Sequence, residues 1–495
     1  MHEYCTTHYL SKSCPSFNPF NPGSDIINQT HHQSSIINPL ASSHVFHTLV
    51  LLKPFKAMRT RRTYLVLLTF ILSLAVVSCE REVLDTRPLI VKLNDLPGVT
   101  ATSMEPVLGF PEQYLLEITQ PLDHNNPNGQ SFTQKAYLHH RGEDLPMVFG
   151  PAGYGISESS RQELGEILGA NMLIVAHRYF VDAEPDPLRS DWDWDFLNIS
   201  QAAADHHHIV EMFKKIYTET WVSSGASKSG QTALFHRRFY PDDVDATVAY
   251  VAPIVFGTHD QRFIPFMENV GTSECREAQN NFERRLLVER DSLIPLFVNW
   301  FADNGSAFSL DPEEAFEYAV LEYHYAFWQS HNTPCDSIPG DAATLVEVFS
   351  HLTQVLWLNS FSDFYMDYYT PYYFQALKES GYIAYITSHI SDLLEIATDP
   401  GADFFVAADV TTGYDPSVMQ DIVQWLSTEG NNIVYIYGEY DPWSAAMFEP
   451  GEGTNALRVI QPGEDHGVKI RDLDEQERVL DSLEVWLGLA SFTPN

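Results

Sequence analysis

The sequence predicts an α/β fold, a parallel sheet with helices on both faces, interrupted by a mainly helical cap. Three observations carry this. Short apolar runs alternate with helix-periodic stretches from about residue 110 to 260. Over 262–410 strand-like runs nearly vanish and helix signals dominate. The alternation then returns and continues to the end of the chain.

In order, Gln113 to Ile118, Leu145 to Gly150 and Asn171 to Ala176 read as strands. Ser200 to Tyr217 has helical spacing in Ala203, Ile209, Met212, Phe213 and Ile216. Thr220 to Ser224 is β-rich, Gln231 to Phe239 is a helix ended by Pro241, and Ala246 to Val251 is a strand. Inside the cap, Asp311-Pro312-Glu313-Glu314 is an N-cap, a first-turn proline and two acids. A second apolar-periodic stretch follows Gly340-Asp341 and runs to about Leu358. Eight aromatics crowd between Phe361 and Phe374, a pattern that suits core packing more often than a pocket wall. After Asp415-Pro416 come a helix to Thr428, strands at 432–437 and 457–460, and a closing helix from Glu475 to Leu487.

The expected boundaries are a leader over 1–57, a signal over 58–79, a first core segment over 80–260, the cap over 261–412 and a second core segment over 413–495. Residues 80–105 read as a linker and approach segment. Met58 to Arg62 is a basic start, and Tyr64 to Val77 is apolar but short for a membrane span. Cys79 follows small residues, the pattern of a bacterial lipoprotein signal. The expectation is translation from Met58, export, and lipid anchoring at Cys79 in the bacterial envelope. The stretch 1–57 is then no part of the protein. Setting aside Cys5, Cys14 and Cys79 leaves Cys275 and Cys335, an even pair expected to bond in an oxidising compartment.

The 495 residues are 44% hydrophobic and 13% aromatic, which excludes a mostly disordered chain. Of 29 basic and 66 acidic residues, six basic and two acidic precede Cys79, so the rest carries a charge of −41. Such a field repels nucleic acid and anionic lipid, and attracts the cationic end of a peptide. Membrane contact is expected only through the anchor. Asp205-His206-His207-His208 sets His207 one turn from Glu211, but no His-Glu-x-x-His pattern exists. Helix packing is the expectation there, with no metal and no cofactor.

A serine nucleophile needs a base, a group to orient the base, and donors for the oxyanion. Gly225-Ala226-Ser227-Lys228-Ser229-Gly230 lies between a strand and a helix, where a sharp turn demands small neighbours. Asp441 follows a later strand in Gly438-Glu439-Tyr440-Asp441-Pro442-Trp443, and His466 follows the next in Gly463-Glu464-Asp465-His466-Gly467. Each element alone is ambiguous: a Gly/Ser-rich turn, a turn Asp, a surface His. Together, in the order Ser, Asp, His, they predict an α/β-hydrolase fold with Ser227 as nucleophile, Asp441 as acid and His466 as base. The oxyanion donors expected are the Lys228 N–H and that of Gly153 or Tyr154. Lys228 would act through its backbone, leaving its side chain dispensable.

The stretch from Trp221 to Pro253 resembles the nucleophile region of the bacterial prolyl tri/tetrapeptidyl aminopeptidase family, relatives of the lysosomal Pro-Xaa carboxypeptidases. His177-Arg178-Tyr179-Phe180, Ala202 to His207 and Gly438 to Trp443 extend the likeness over about 110–490. The resemblance implies the same triad and release of short peptides from a free N-terminus, often after proline. Two positions depart from the family pattern: Ala176 stands where a Glu is usual, and Ser229 where a Gly is usual. The first bears on specificity. Trp443 and Glu439 are expected at the substrate. The competing readings are an esterase of the same fold and a surface lipoprotein that binds without turnover.

Overall fold

A computed structural model describes residues 85–183, 193–330, 333–406 and 413–489. The leader, the signal and Cys79 lie outside the described residues. The elements below belong to one compact unit that includes Leu89 to the C-terminus.

The centre is a nine-stranded sheet in the order β1-β2-β3-β5-β4-β6-β7-β8-β9. Strands β1 (Val99–Met104), β2 (Glu112–Pro121) and β3 (Ser131–His140) pair antiparallel, and β3 pairs antiparallel with β5 (Asn171–Val175). From β5 onward all pairing is parallel, through β4 (Met147–Pro151), β6 (Trp221–Ala226), β7 (Ala246–Tyr250), β8 (Ile433–Gly438) and β9 (Leu457–Gln461). Strands β4, β5, β7 and β8 are buried at every residue, because helices cover both faces. That is why their sequences read as continuous apolar runs.

Two elements correct the linker expected at 80–105. Helix α1 (Leu89–Asn94) buries Leu89 and Leu93, and β1 pairs Val99 with Ile118. The stretch is short and mostly polar, so its order comes from the sheet edge it joins. Strand β3 also escaped notice, since Gln134 interrupts its apolar face. Gln134 is fully buried, accepting from Gln120 at 2.8 Å and donating to the Ala176 carbonyl at 2.7 Å.

Helices α2 (Glu163–Ile167), α3 (Ile199–Phe213) and α4 (Lys228–Phe239) follow their strands. The His-rich run lies on α3 and is absorbed by packing: His207 Nδ1 faces Asp243 at 2.9 Å, and Asp205 is buried under Arg178 at 2.7 Å. Between β7 and β8 runs the cap: α5 (Phe263–Met267), α6 (Ser273–Val288), α7 (Arg290–Asp303), α8 (Pro312–Gln329), α9 (Leu345–Val355) and α10 (Asp363–Gln375). Asp311 caps α8, accepting from the Glu313 and Glu314 N–H groups. The second expected cap helix is shorter than its apolar pattern, beginning after the Thr344–Glu347 capping box and ending at Val355.

The cap has its own core, in which Phe297, Phe316, Tyr323 and Trp328 are fully buried. Cys275, near the start of α6, is bonded to Cys335 beyond α8. Helix α11 (Pro416–Thr428) precedes β8, and α12 (Gln476–Leu487) closes the chain against the sheet. This is the α/β-hydrolase fold. Among the described residues, no helix is long and apolar enough to cross a membrane.

Candidate active site

Ser227 sits between the end of β6 and the start of α4 at φ 57°, ψ −128°. An L-residue there costs on the order of 1–3 kcal/mol and persists only when its surroundings hold it. They do. The Ser227 N–H donates to the Tyr250 carbonyl at 2.8 Å, and its carbonyl accepts from Gln231 at 3.0 Å. The turn is tight enough that a Cβ on Gly225 would lie 2.4 Å from the Ser229 backbone.

The loop after β4 presses on this turn. A Cβ on Gly153 would lie 2.7 Å from the Lys228 Cβ, so only glycine allows the approach. The Gly153 N–H donates to Ser229 Oγ at 2.9 Å. The Gly153 donor is occupied, because Ser229 supplies an acceptor. The Tyr154 N–H has no acceptor among the described residues.

The Lys228 side chain turns inward. It is buried, donates to Gln375 Oε1 at the end of α10 at 2.8 Å, and lies 6.0 Å from the Tyr154 and Tyr372 ring centres. Burial pulls its ammonium down to a pKa of about 7.

Asp441 and His466 are brought together, with His466 Nδ1 2.8 Å from Asp441 Oδ2 and both side chains buried. Asp441 follows β8 and His466 follows β9, at the same sheet edge as Ser227. Burial pushes the Asp441 carboxyl up, while His466 and the Trp443 N–H at 3.1 Å pull it back.

Trp443 lies beside His466, their ring centres 6.5 Å apart. Its indole N–H donates to Gln329 Oε1 at 3.2 Å, and the Gln329 carbonyl accepts from the His466 N–H at 3.3 Å. Gln329, at the end of α8, therefore ties the cap to both residues, a role no sequence motif announced. Glu439 lies against the His466 loop. It is exposed, and its carboxylate accepts from the Gly463 N–H at 2.8 Å, bracing the His466 loop.

The aromatic stripe belongs to α10, which lies over the Tyr154 loop. Tyr369 and Tyr372 pack on the Tyr154 ring at 5.6 and 5.7 Å, and Tyr368 accepts from the Gly155 N–H at 3.3 Å. Behind this layer Glu322 of α8 receives the Tyr385 hydroxyl. Burial pushes the Glu322 carboxyl up to about 7. Sequence reasoning passed over it, because one Glu on a helix carries no signal. Ala176 is fully buried in an apolar cluster with Tyr179 and Phe374.

The family described as PS-10 peptidase S37 matches residues 84–493. A prolyl tri/tetrapeptidyl aminopeptidase of Streptomyces mobaraensis is 33% identical over 410 residues, covering 81% of this chain and 85% of that protein. Among solved structures, the proline iminopeptidase of Mycobacterium smegmatis aligns at a TM-score of 0.37 and 12% identity, over 75% of this chain and 97% of that one. A proline iminopeptidase-related protein of Thermus thermophilus gives 0.33 and 11%, over 75% and 98%.

Proposed function

The chain belongs to the peptidase S37 family and is a serine peptidase; we propose that Ser227, Asp441 and His466 are its triad and that it releases short peptides from the free N-terminus of its substrates, cutting preferentially after proline. The observation that carries this reading is the buried Asp441–His466 pair at the sheet edge that also bears the strained Ser227.

In the reaction His466 Nε2 takes the Ser227 hydroxyl proton as Oγ adds to the scissile carbonyl carbon. The Lys228 and Tyr154 N–H groups receive the oxyanion. His466 then gives its proton to the leaving amine, and the C–N bond breaks. Water enters, loses a proton to His466 and adds to the acyl carbon; as the acyl–oxygen bond breaks, His466 returns that proton to Ser227 Oγ, which frees the peptide acid and restores the enzyme. Asp441 stays ionised and steadies the imidazolium.

Three extended residues reach about 10 Å from the cleaved bond. The substrate's ammonium then meets the tyrosine layer of the cap, with Glu322 as its counter-charge. A cation at that place favours ionised Glu322, whose burial otherwise disfavours it. Trp443 offers proline an apolar wall beside His466. The relative's name, prolyl tri/tetrapeptidyl aminopeptidase, supports both peptide length and proline preference. The signal pattern before Cys79 and the Cys275–Cys335 bond support export to an oxidising compartment, with a lipid on Cys79.

A peptide library read by mass spectrometry, alongside a fluorophosphonate probe, tests this. Wild type takes the label, Ser227→Ala does not, and products are short N-terminal fragments ending in proline. Cleavage indifferent to acetylation of the N-terminus would sink the exopeptidase reading. Faster turnover of simple acyl esters than of any peptide would favour an esterase. Mass spectrometry of the mature N-terminus checks the lipidated Cys79.

A further inference from the structure

Outside the chemistry above, the cap gathers three metal-ligand side chains from segments distant in sequence. They are Glu283 of α6, His324 of α8 and His389 of the segment after α10, with one ligand atom of each lying within 4.8 Å of the others. Glu283 and His324 are each 1% exposed and His389 11%. Glu283 Oε2 lies 2.8 Å from His324 Nδ1 and also contacts His389 Nε2. We propose that Glu283, His324 and His389 bind a divalent transition-metal ion, with Zn2+ the preferred class, as a structural site of the cap.

Two imidazoles and one carboxylate are the donor set of borderline cations. Mg2+ and Ca2+ instead favour all-oxygen sites. Three protein ligands leave one tetrahedral position open. Beside His324 and His389 lies a cavity of about 150 Å3, also lined by Asn280 and Ser388. That is room for a water as fourth ligand and for entry of the ion. Ligand atoms on a tetrahedral ion with bonds near 2.0–2.1 Å stand about 3.3 Å apart. Glu283 lies closer than this to both imidazoles, so its carboxylate would have to draw back to admit the ion.

The site has a mechanical sense. Cys275, bonded to Cys335, pins one end of α6, and Glu283 lies two turns further on. An ion there would fix α6 to the middle of α8 and to the His389 segment. Helix α8 ends in Gln329, which holds Trp443 and the His466 loop. The sequence offers no motif for such a site, since 41 residues separate Glu283 from His324 and 106 separate it from His389.

The test uses the purified full protein, stripped with chelator and titrated with ZnCl2 by calorimetry, with Co2+ absorption as a second readout. Wild type is expected to bind one Zn2+ per chain, to melt at a higher temperature with it, and to give the intense visible bands of tetrahedral Co2+. His389→Ala, at the cavity wall, is expected to weaken binding by roughly tenfold or more and to lose the melting shift. Glu283→Gln does the same where it folds. His466→Ala retains the ion, which separates this site from the imidazole at Ser227. A wild type that takes up no more Zn2+ than His389→Ala, with the same melting response, overturns the proposal and leaves a hydrogen-bonded cluster.

Discussion

The sheet edge and the cap bury acids in opposite ways. At the edge, Asp441 faces His466 and accepts a backbone N–H. In the cap, Glu322 has a single phenol as its polar partner. This is no general property of the cap. On the same helix, burial also pushes Glu317 up, but three backbone N–H groups and Arg290 outweigh it and hold the carboxyl below its usual range. The difference teaches what each region does. At the edge, partners partly offset the cost of burying the acid, whereas burial pushes the Glu322 carboxyl up to about 7; on the proposed reading an arriving cation would favour its ionised form.

The sharpest break of this comparison falls on the edge. Ser227→Ala is expected to lower kcat on order of 10^6-fold, and Asp441→Asn about 10^4-fold, with thermal stability little changed. Peptide turnover with calorimetry checks both. A cap substitution with an equal effect on kcat would erase the distinction. Next in size, opening the Cys275–Cys335 bond by Cys335→Ala releases a cross-link spanning 60 residues. Chain entropy sets its loss at about 4 kcal/mol, read by denaturant unfolding, while fluorophosphonate labelling in the cold survives.

Glu322→Gln probes the cap acid itself. The folded-state pKa is raised from 4.5 to about 7. Its contribution is therefore full below pH 4.5 and is lost as pH rises through 7. Wild type should lose stability against Glu322→Gln across that window, by at most about 3 kcal/mol at 1.4 kcal/mol per unit. Equal melting curves for the two proteins from pH 4.5 to 8 would refute the assignment. The same variant should raise KM for free-amine peptides about tenfold with kcat nearly unchanged. The smallest effect is expected from Ser229→Ala, which leaves the Gly153 N–H without its acceptor. A loss of about 1 kcal/mol, roughly fivefold in kcat with KM unchanged, is the expected reading.

Much of the sheet was legible, because strands covered on both faces must be apolar throughout and so stand out, as β4, β5 and β8 do. Ser227, Asp441 and His466 were singled out through order and position after strands rather than through any single phrase, and the fold pairs Asp441 with His466. What escaped depends on contacts the chain makes far from itself. Gln134 spoils the pattern of β3 yet is satisfied by Gln120 and Ala176. Gln329, Glu322 and His324 lie on one helix and look like ordinary polar positions until the fold shows what each meets. Glu439 is a further case: nothing in its sequence neighbourhood announces that its carboxylate closes on Gly463.

The cap enters between two adjacent strands, and this has a consequence for the order of events during synthesis. About 180 residues separate the end of β7 from the start of β8, its partner. At roughly 5–20 residues per second, the outer edge of β7 waits on the order of 10–40 s for that partner. His466, proposed above as the base, is made later still. On that reading the turn that carries Ser227 is made long before its activating group, and a nascent chain carries no working protease past its own ribosome.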